Sequence, residues 1–98
     1  MMVCELADDE LKNIVASCGL KTSRHALTRI KQRLAPVQIE AFKRDLETAC
    51  RKYRSGRVKK QSKLRLTKGG VTTRRECYVR LNGVTYVFFR DFLVSVYV

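Results

Sequence analysis

The stretch CYVRLNGVTYVF, residues 77–88, decides the fold. Asn82-Gly83 separates two runs in which β-branched and aromatic residues alternate with polar ones. In that setting Asn-Gly is the strongest short-range hairpin signal, because both residues accept the positive φ of a type I′ turn. A two-residue loop there pairs Leu81 with Val84, Val79 with Tyr86 and Cys77 with Phe88. Outward from this hairpin, Gly69-Gly70 is a second turn signal. A two-residue loop at that point pairs Leu66 with Thr73 and Leu64 with Arg75. Strands are therefore expected near 61–68, 71–81 and 84–90, and the tail FLVSVYV alternates again as a fourth strand.

Successive side chains of a strand point to opposite faces, so the register sorts the sheet. One face collects Leu64, Leu66, Cys77, Val79, Leu81, Val84, Tyr86 and Phe88, interrupted by Thr73 and Arg75, and is expected to bury. The other carries Lys63, Arg65, Arg74, Tyr78 and Arg80 among threonines, Val87 and Phe89, with Glu76 its only acid.

The first half has helical period. Asp8 or Asp9 can cap a helix with Leu11, Ile14, Val15 and Cys18 on one side, stopped at Gly19. Thr22 or Ser23 caps a second, with Ala26, Leu27, Ile30 and Leu34 apolar. Pro36 opens a third, whose stripe is Ile39, Phe42, Leu46, Ala49, Cys50 and Tyr53, and Gly56 ends it. The expected fold class is α+β: three N-terminal helices packed on one face of a C-terminal antiparallel β-meander of three to four strands. Residues 1–98 form a single domain, divided into a helical half (1–56), a basic loop (57–62) and a β-sheet half (63–98).

Charge supplies the functional expectation. The chain has 98 residues and a formal net charge of +12, and from Thr48 to Arg75 it holds eleven Lys or Arg and no acid. A polyanion relieves such self-repulsion, and nucleic acid is the commonest one, since each phosphate neutralised releases condensed counterions. Arg54, Arg57, Lys59, Lys60, Lys63, Arg65, Arg74 and Arg80 are the expected phosphate contacts, with Tyr78 as a stacking residue; Phe89 has the same capacity. Arg24, Lys31 and Arg33 form a secondary set, and His25 reads as a surface or phosphate-contacting residue. The expectation is nucleic-acid binding with limited sequence specificity. RNA is slightly preferred over DNA, because a mixed aromatic and basic sheet face is a common RNA platform. The competing explanation is a solvated charge run, and the last helical turn has a dipole reason for its own cations.

The segment LKNIVASCGLKTSRHALTRIKQRL, through Leu11, Gly19, Leu20, Ile30, Arg33 and Leu34, resembles the SAP motif, a helix–loop–helix that binds DNA. It differs by an extra residue and by lacking the second loop glycine. Three helices leading into a basic hairpin also resemble winged-helix proteins, so a DNA-binding helix-loop-helix protein is one alternative. A protein-interaction module is another, with the C-terminal strand pairing to a second copy in a homodimer.

One histidine, no Gly-rich phosphate loop and no clustered carboxylates offer no catalytic apparatus, so no enzyme and no cofactor are expected. The cysteines at 4, 18, 50 and 77 lack the close pairing of zinc ligands and read as core residues, with no metal implied. No apolar run reaches the roughly 20 residues of a membrane span, and the acidic N-terminus is unlike a signal peptide. A cytoplasmic or nuclear location is expected. A basic protein of this class suits a viral accessory role such as suppression of RNA silencing.

Overall fold

The computed structural model describes residues 7–98 and, at Arg65, the backbone alone. Cys4 and Glu5 lie outside the described residues. Helix α1 (Asp8–Ser17) is followed by the short strand β1 (Lys21–Thr22), then α2 (Arg24–Arg33), α3 (Pro36–Glu40) and α4 (Phe42–Arg54). Strands β2 (Lys59–Thr67), β3 (Gly70–Leu81), β4 (Val84–Phe89) and β5 (Phe92–Tyr97) complete the chain.

The helix signals act with small displacements. Ala7, not an aspartate, takes the cap position of α1, which leaves Asp8, Asp9 and Glu10 in the first turn where the helix dipole favours them. The Gly19 and Leu20 amides bond back to Ala16 and Val15, closing α1 in the glycine-dependent double bond of a Schellman stop. Ser23 caps α2 by accepting the Ala26 amide at 3.1 Å. The expected third helix divides at Ala41, whose ψ of −2° departs from helical geometry. Its apolar stripe continues across the break, since Ile39, Phe42, Leu46, Ala49 and Cys50 are all buried.

The sheet is five-stranded, in the order β1-β5-β4-β3-β2, and mixed. Its meander is antiparallel, but β1 pairs in parallel with β5, Lys21 opposite Phe92 and Thr22 opposite Leu93. Two residues carry no readable periodicity, so this strand corrects the purely antiparallel expectation. The β3–β4 register is the expected one, from Cys77 opposite Phe88 to Leu81 opposite Val84. Asn82 and Gly83 make the turn with φ of 51° and 79°. The Asn82 side chain also donates to Asp45 of α4 at 3.0 Å, tying the turn to the helical layer. Asp45 is buried; its charge, after burial itself, helps push the Tyr86 hydroxyl far above its usual pKa.

Between β2 and β3 the register differs by two residues. Thr67 pairs with Gly70, Leu66 with Val71 and Leu64 with Thr73. The turn centres on Lys68-Gly69, and the Thr67 hydroxyl closes it by donating to the Gly70 carbonyl at 2.8 Å. A shift of two preserves the faces. The segment expected as a loop over 57–62 is correspondingly shorter, because β2 begins at Lys59.

Helices cover only part of the sheet. With 13 residues α4 is about 20 Å long, whereas β3 with 12 residues extends about 40 Å. Leu11, Val15, Leu27, Ile30, Phe42, Leu46, Tyr86, Phe88 and Leu93 fill the core beneath the helices. Beyond it the β2–β3 hairpin continues as an arm. Leu64 and Leu66, expected to bury, are 74% and 85% exposed there, and Val71 beside them is 69% exposed. Cys18, Cys50 and Cys77 belong to the core, and burial raises the pKa of the Cys18 and Cys50 thiols.

Candidate nucleic-acid interface

The face of the sheet turned away from the helices carries the basic groups. The register sets Lys59 opposite Tyr78, Gln61 opposite Glu76 and Lys63 opposite Arg74, with Arg80 opposite Thr85 on the far side of β3. Lys59, Gln61, Tyr78, Arg80 and Thr85 line a shallow depression of about 400 Å³. Arg80 is exposed and donates to the Thr85 hydroxyl at 3.2 Å. Two cations, an aromatic ring and two neutral hydrogen-bonding groups thus meet in one concavity.

Glu76 organises the middle of this face. It is 1% exposed. Arg74 donates to its Oε2 through Nε at 3.1 Å and Nη2 at 2.7 Å, and the Tyr78 hydroxyl donates to Oε1 at 3.3 Å. Both guanidinium donors meet the one oxygen, and such charge-assisted bonds are stronger than neutral ones. The one acid of the face is therefore balanced internally, and Arg74 and Tyr78 are held in place by it. Arg74 also lies over the Phe89 ring, 4.8 Å from its centroid, with the Arg90 guanidinium 5.1 Å away. Two guanidinium groups thus occupy Phe89, so a base would have to compete with them to stack.

The remaining expected residues scatter. Lys60 pairs with Cys77, which turns it to the helix side of the sheet. Arg57 is exposed in the turn before β2, and Arg65 stands opposite Thr72 in the register. Arg54 lies away from the sheet face; its Nη2 donates to the Cys18 carbonyl at 2.7 Å, closing the end of α1. Gly19 makes that reach possible, since a Cβ there would stand 2.8 Å from the same nitrogen. In the secondary set, Arg24 is exposed, Lys31 is ion-paired with Asp8, and Arg33 donates to the Val96 carbonyl at 2.9 Å. The Lys31 ammonium holds the Asp8 carboxyl below its usual value.

A second concavity was not anticipated. A cleft of about 390 Å³ lies between α2 and β4–β5, with His25, Arg29 and Arg33 along one wall. Their i, i+4, i+8 spacing was the available signal, since it forms one row on a helix. The SAP-like segment folds as α1, β1 and α2, and its Leu11, Leu20, Ile30 and Leu34 are core residues. β1 covers the outer edge of β5 only at Phe92 and Leu93, and β2 is the terminal strand at the opposite side of the sheet. Among the described residues no three His, Cys, Asp or Glu side chains are grouped to hold a metal, and no helix is long and apolar enough to cross a membrane. Comparison with protein-family models, with curated proteins and with solved structures finds no match to this chain.

Proposed function

We propose that this protein binds nucleic acid, RNA in preference to DNA, through the outer face of the β2–β3 arm and its junction with β4. Binding is driven by phosphate neutralisation with limited sequence discrimination, and the role is non-catalytic. The observation that carries this reading is the alternation of β2, which turns Lys59 and Lys63 to one side beside Arg80 while Arg74 balances Glu76. Such a face attracts a backbone of regularly spaced phosphates and has few groups that would read base edges. Tyr78 contributes its ring at the depression, where one base can stack for roughly 1–3 kcal/mol.

The experiment is a titration of single- and double-stranded RNA and DNA probes of equal length at several salt concentrations. The expected result is binding at low salt that weakens steeply as salt rises, with single-stranded RNA tightest. Binding that is undetectable at low salt, or indifferent to salt, refutes the proposal.

A second reading, self-association through the arm, is favoured by the exposed Leu64, Leu66 and Val71 beside the terminal strand β2. Sedimentation of the free protein and of Leu66→Lys reads it directly: a dimer in the first and a monomer in the second supports it, and a monomer in both removes it.

A further inference from the structure

The cleft between α2 and the outer surface of β4–β5 combines features that the arm does not share. Its basic wall is the row His25, Arg29 and Arg33, Arg74 also lines it, and among the described residues no carboxylate does. Its apolar lining is mostly aromatic: Phe89, Phe92 and Tyr97, with Val94. Phe92 and Tyr97 are 38% and 47% exposed, so both rings present surface to solvent. Ser95 also lines the cleft, yet it is only 6% exposed. Among the described residues no protein group hydrogen-bonds its hydroxyl. A buried hydroxyl without a protein partner is uncommon, and one at the wall of a cleft is placed to serve a ligand.

The cations are held ready. Arg33 lies 4.7 Å from the Tyr97 ring centroid and spends one N–H on the Val96 carbonyl. A guanidinium has five N–H donors, so a fork remains for an anion. Arg29 is steadied by donating from Nε to the His25 ring at 3.3 Å, which leaves its two terminal nitrogens directed by that bond. Arginine in this state matches the oxygens of a phosphate in pairs.

Size narrows the ligand. Small-molecule sites span about 300–1,000 Å³, and about 390 Å³ suits one molecule of mononucleotide size. A bare inorganic anion would leave the aromatic surface unused, and an uncharged ring would leave Arg29 and Arg33 uncompensated, Arg74 being already paired with Glu76. We propose that this cleft binds a single nucleotide. Its phosphate lies on Arg29 and Arg33, its base against the exposed Phe92 ring, and a polar group of the sugar or base bonds the Ser95 hydroxyl. The nucleotide comes either free from solution or as one unstacked residue of a bound strand. The site shares Arg74 with the face of the arm, but its proposed contacts on Arg29, Arg33, Phe92 and Ser95 lie on α2 and β5, so its test is independent of the arm.

The test uses purified full-length protein and adenosine 5′-monophosphate, uridine 5′-monophosphate, adenosine and inorganic phosphate as separate probes, followed by ligand-observed NMR at low salt. The expected result is that a mononucleotide binds at least tenfold more tightly than adenosine or phosphate. Arg29→Gln, at a half-exposed position, and Ser95→Val, which conserves shape, each weaken it several-fold or more. Lys43→Gln removes one charge from the solvated side of α4 and leaves mononucleotide affinity unchanged. Circular dichroism confirms that each variant is folded. A short single-stranded RNA then separates the sources: displacement of the mononucleotide by RNA, lost in Arg29→Gln, identifies a residue of a strand, and binding without displacement identifies the free nucleotide. Phosphate binding as tightly as the mononucleotide, equal weakening by Lys43→Gln, or no mononucleotide binding at all overturns the proposal.

Discussion

Replacing Lys59 and Lys63 together with Ala removes two positive charges from the outer face of the arm. Replacing Lys60 and Arg75 removes the same two charges from its other face, because those residues pair with Cys77 and Ser62 on the helix side. The two double variants therefore have identical net charge and differ only in which face they disarm. For a single strand each neutralised phosphate contributes about 0.7 to the slope of log affinity against log salt. Loss of two contacts should flatten the slope by about 1.4. Across a fourfold range of salt, the parent protein should then lose roughly 7-fold more affinity than the Lys59→Ala/Lys63→Ala variant. Fluorescence anisotropy with a labelled single-stranded RNA over that range measures both slopes. The Lys60→Ala/Arg75→Ala variant should keep most of the parental slope, since charges more than about 8–10 Å from the strand are screened. Equal flattening in both variants would show that charge alone, without a face, governs binding. No flattening in either would move the phosphate track off the arm.

Three further outcomes test the surrounding structure. Glu76→Ala strands the Arg74 guanidinium in a partly buried site, and should cost about 1–3 kcal/mol in urea denaturation. Because the two groups act as one unit, Arg74→Ala added to it should cost less than the sum of the single changes. Asn82→Ala loses the bond to buried Asp45 and gives the positive φ to a residue that lacks asparagine's tolerance of it; about 2 kcal/mol is expected by thermal unfolding, with Asn82→Gly losing less. Iodoacetamide at mildly alkaline pH should spare Cys18 and Cys50 in the native protein and label both in urea, as peptide mass spectrometry would show, because burial keeps these thiols protonated.

Much of the sheet was legible because Asn-Gly admits one turn geometry and so fixes the residues on either side of it. Gly69-Gly70 is weaker, since two adjacent glycines allow the turn to be centred on either, and only the Thr67 hydroxyl bond chooses. Periodicity is blind to the resulting shift of two, which is why face assignments outlived the wrong pairing. The same blindness misled on Leu64 and Leu66: alternation tells which side a residue points to, not whether anything covers that side. Comparing the rise of a 13-residue helix with that of a 12-residue strand would have exposed the overhang.

At the candidate interface, the residues sharing the face of Lys59 could be read from parity alone. That Glu76 would be balanced by Arg74, and that Arg54 would serve the end of α1, depend on side-chain contacts for which a strand or helix pattern carries no signal.

The overhang gives the molecule two grades of persistence. Amides of β3 near Val79 and of β4 lie over the core, where exchange with solvent is expected to need opening of the whole structure. Those between Ser62 and Thr73 belong to a ribbon with no helix above it, and a two-stranded ribbon by itself is marginally stable in water. The arm can therefore fray and re-form at little cost while the core stays intact. Whatever engages it meets a segment able to change its twist, and pays for that adaptability by having to order it.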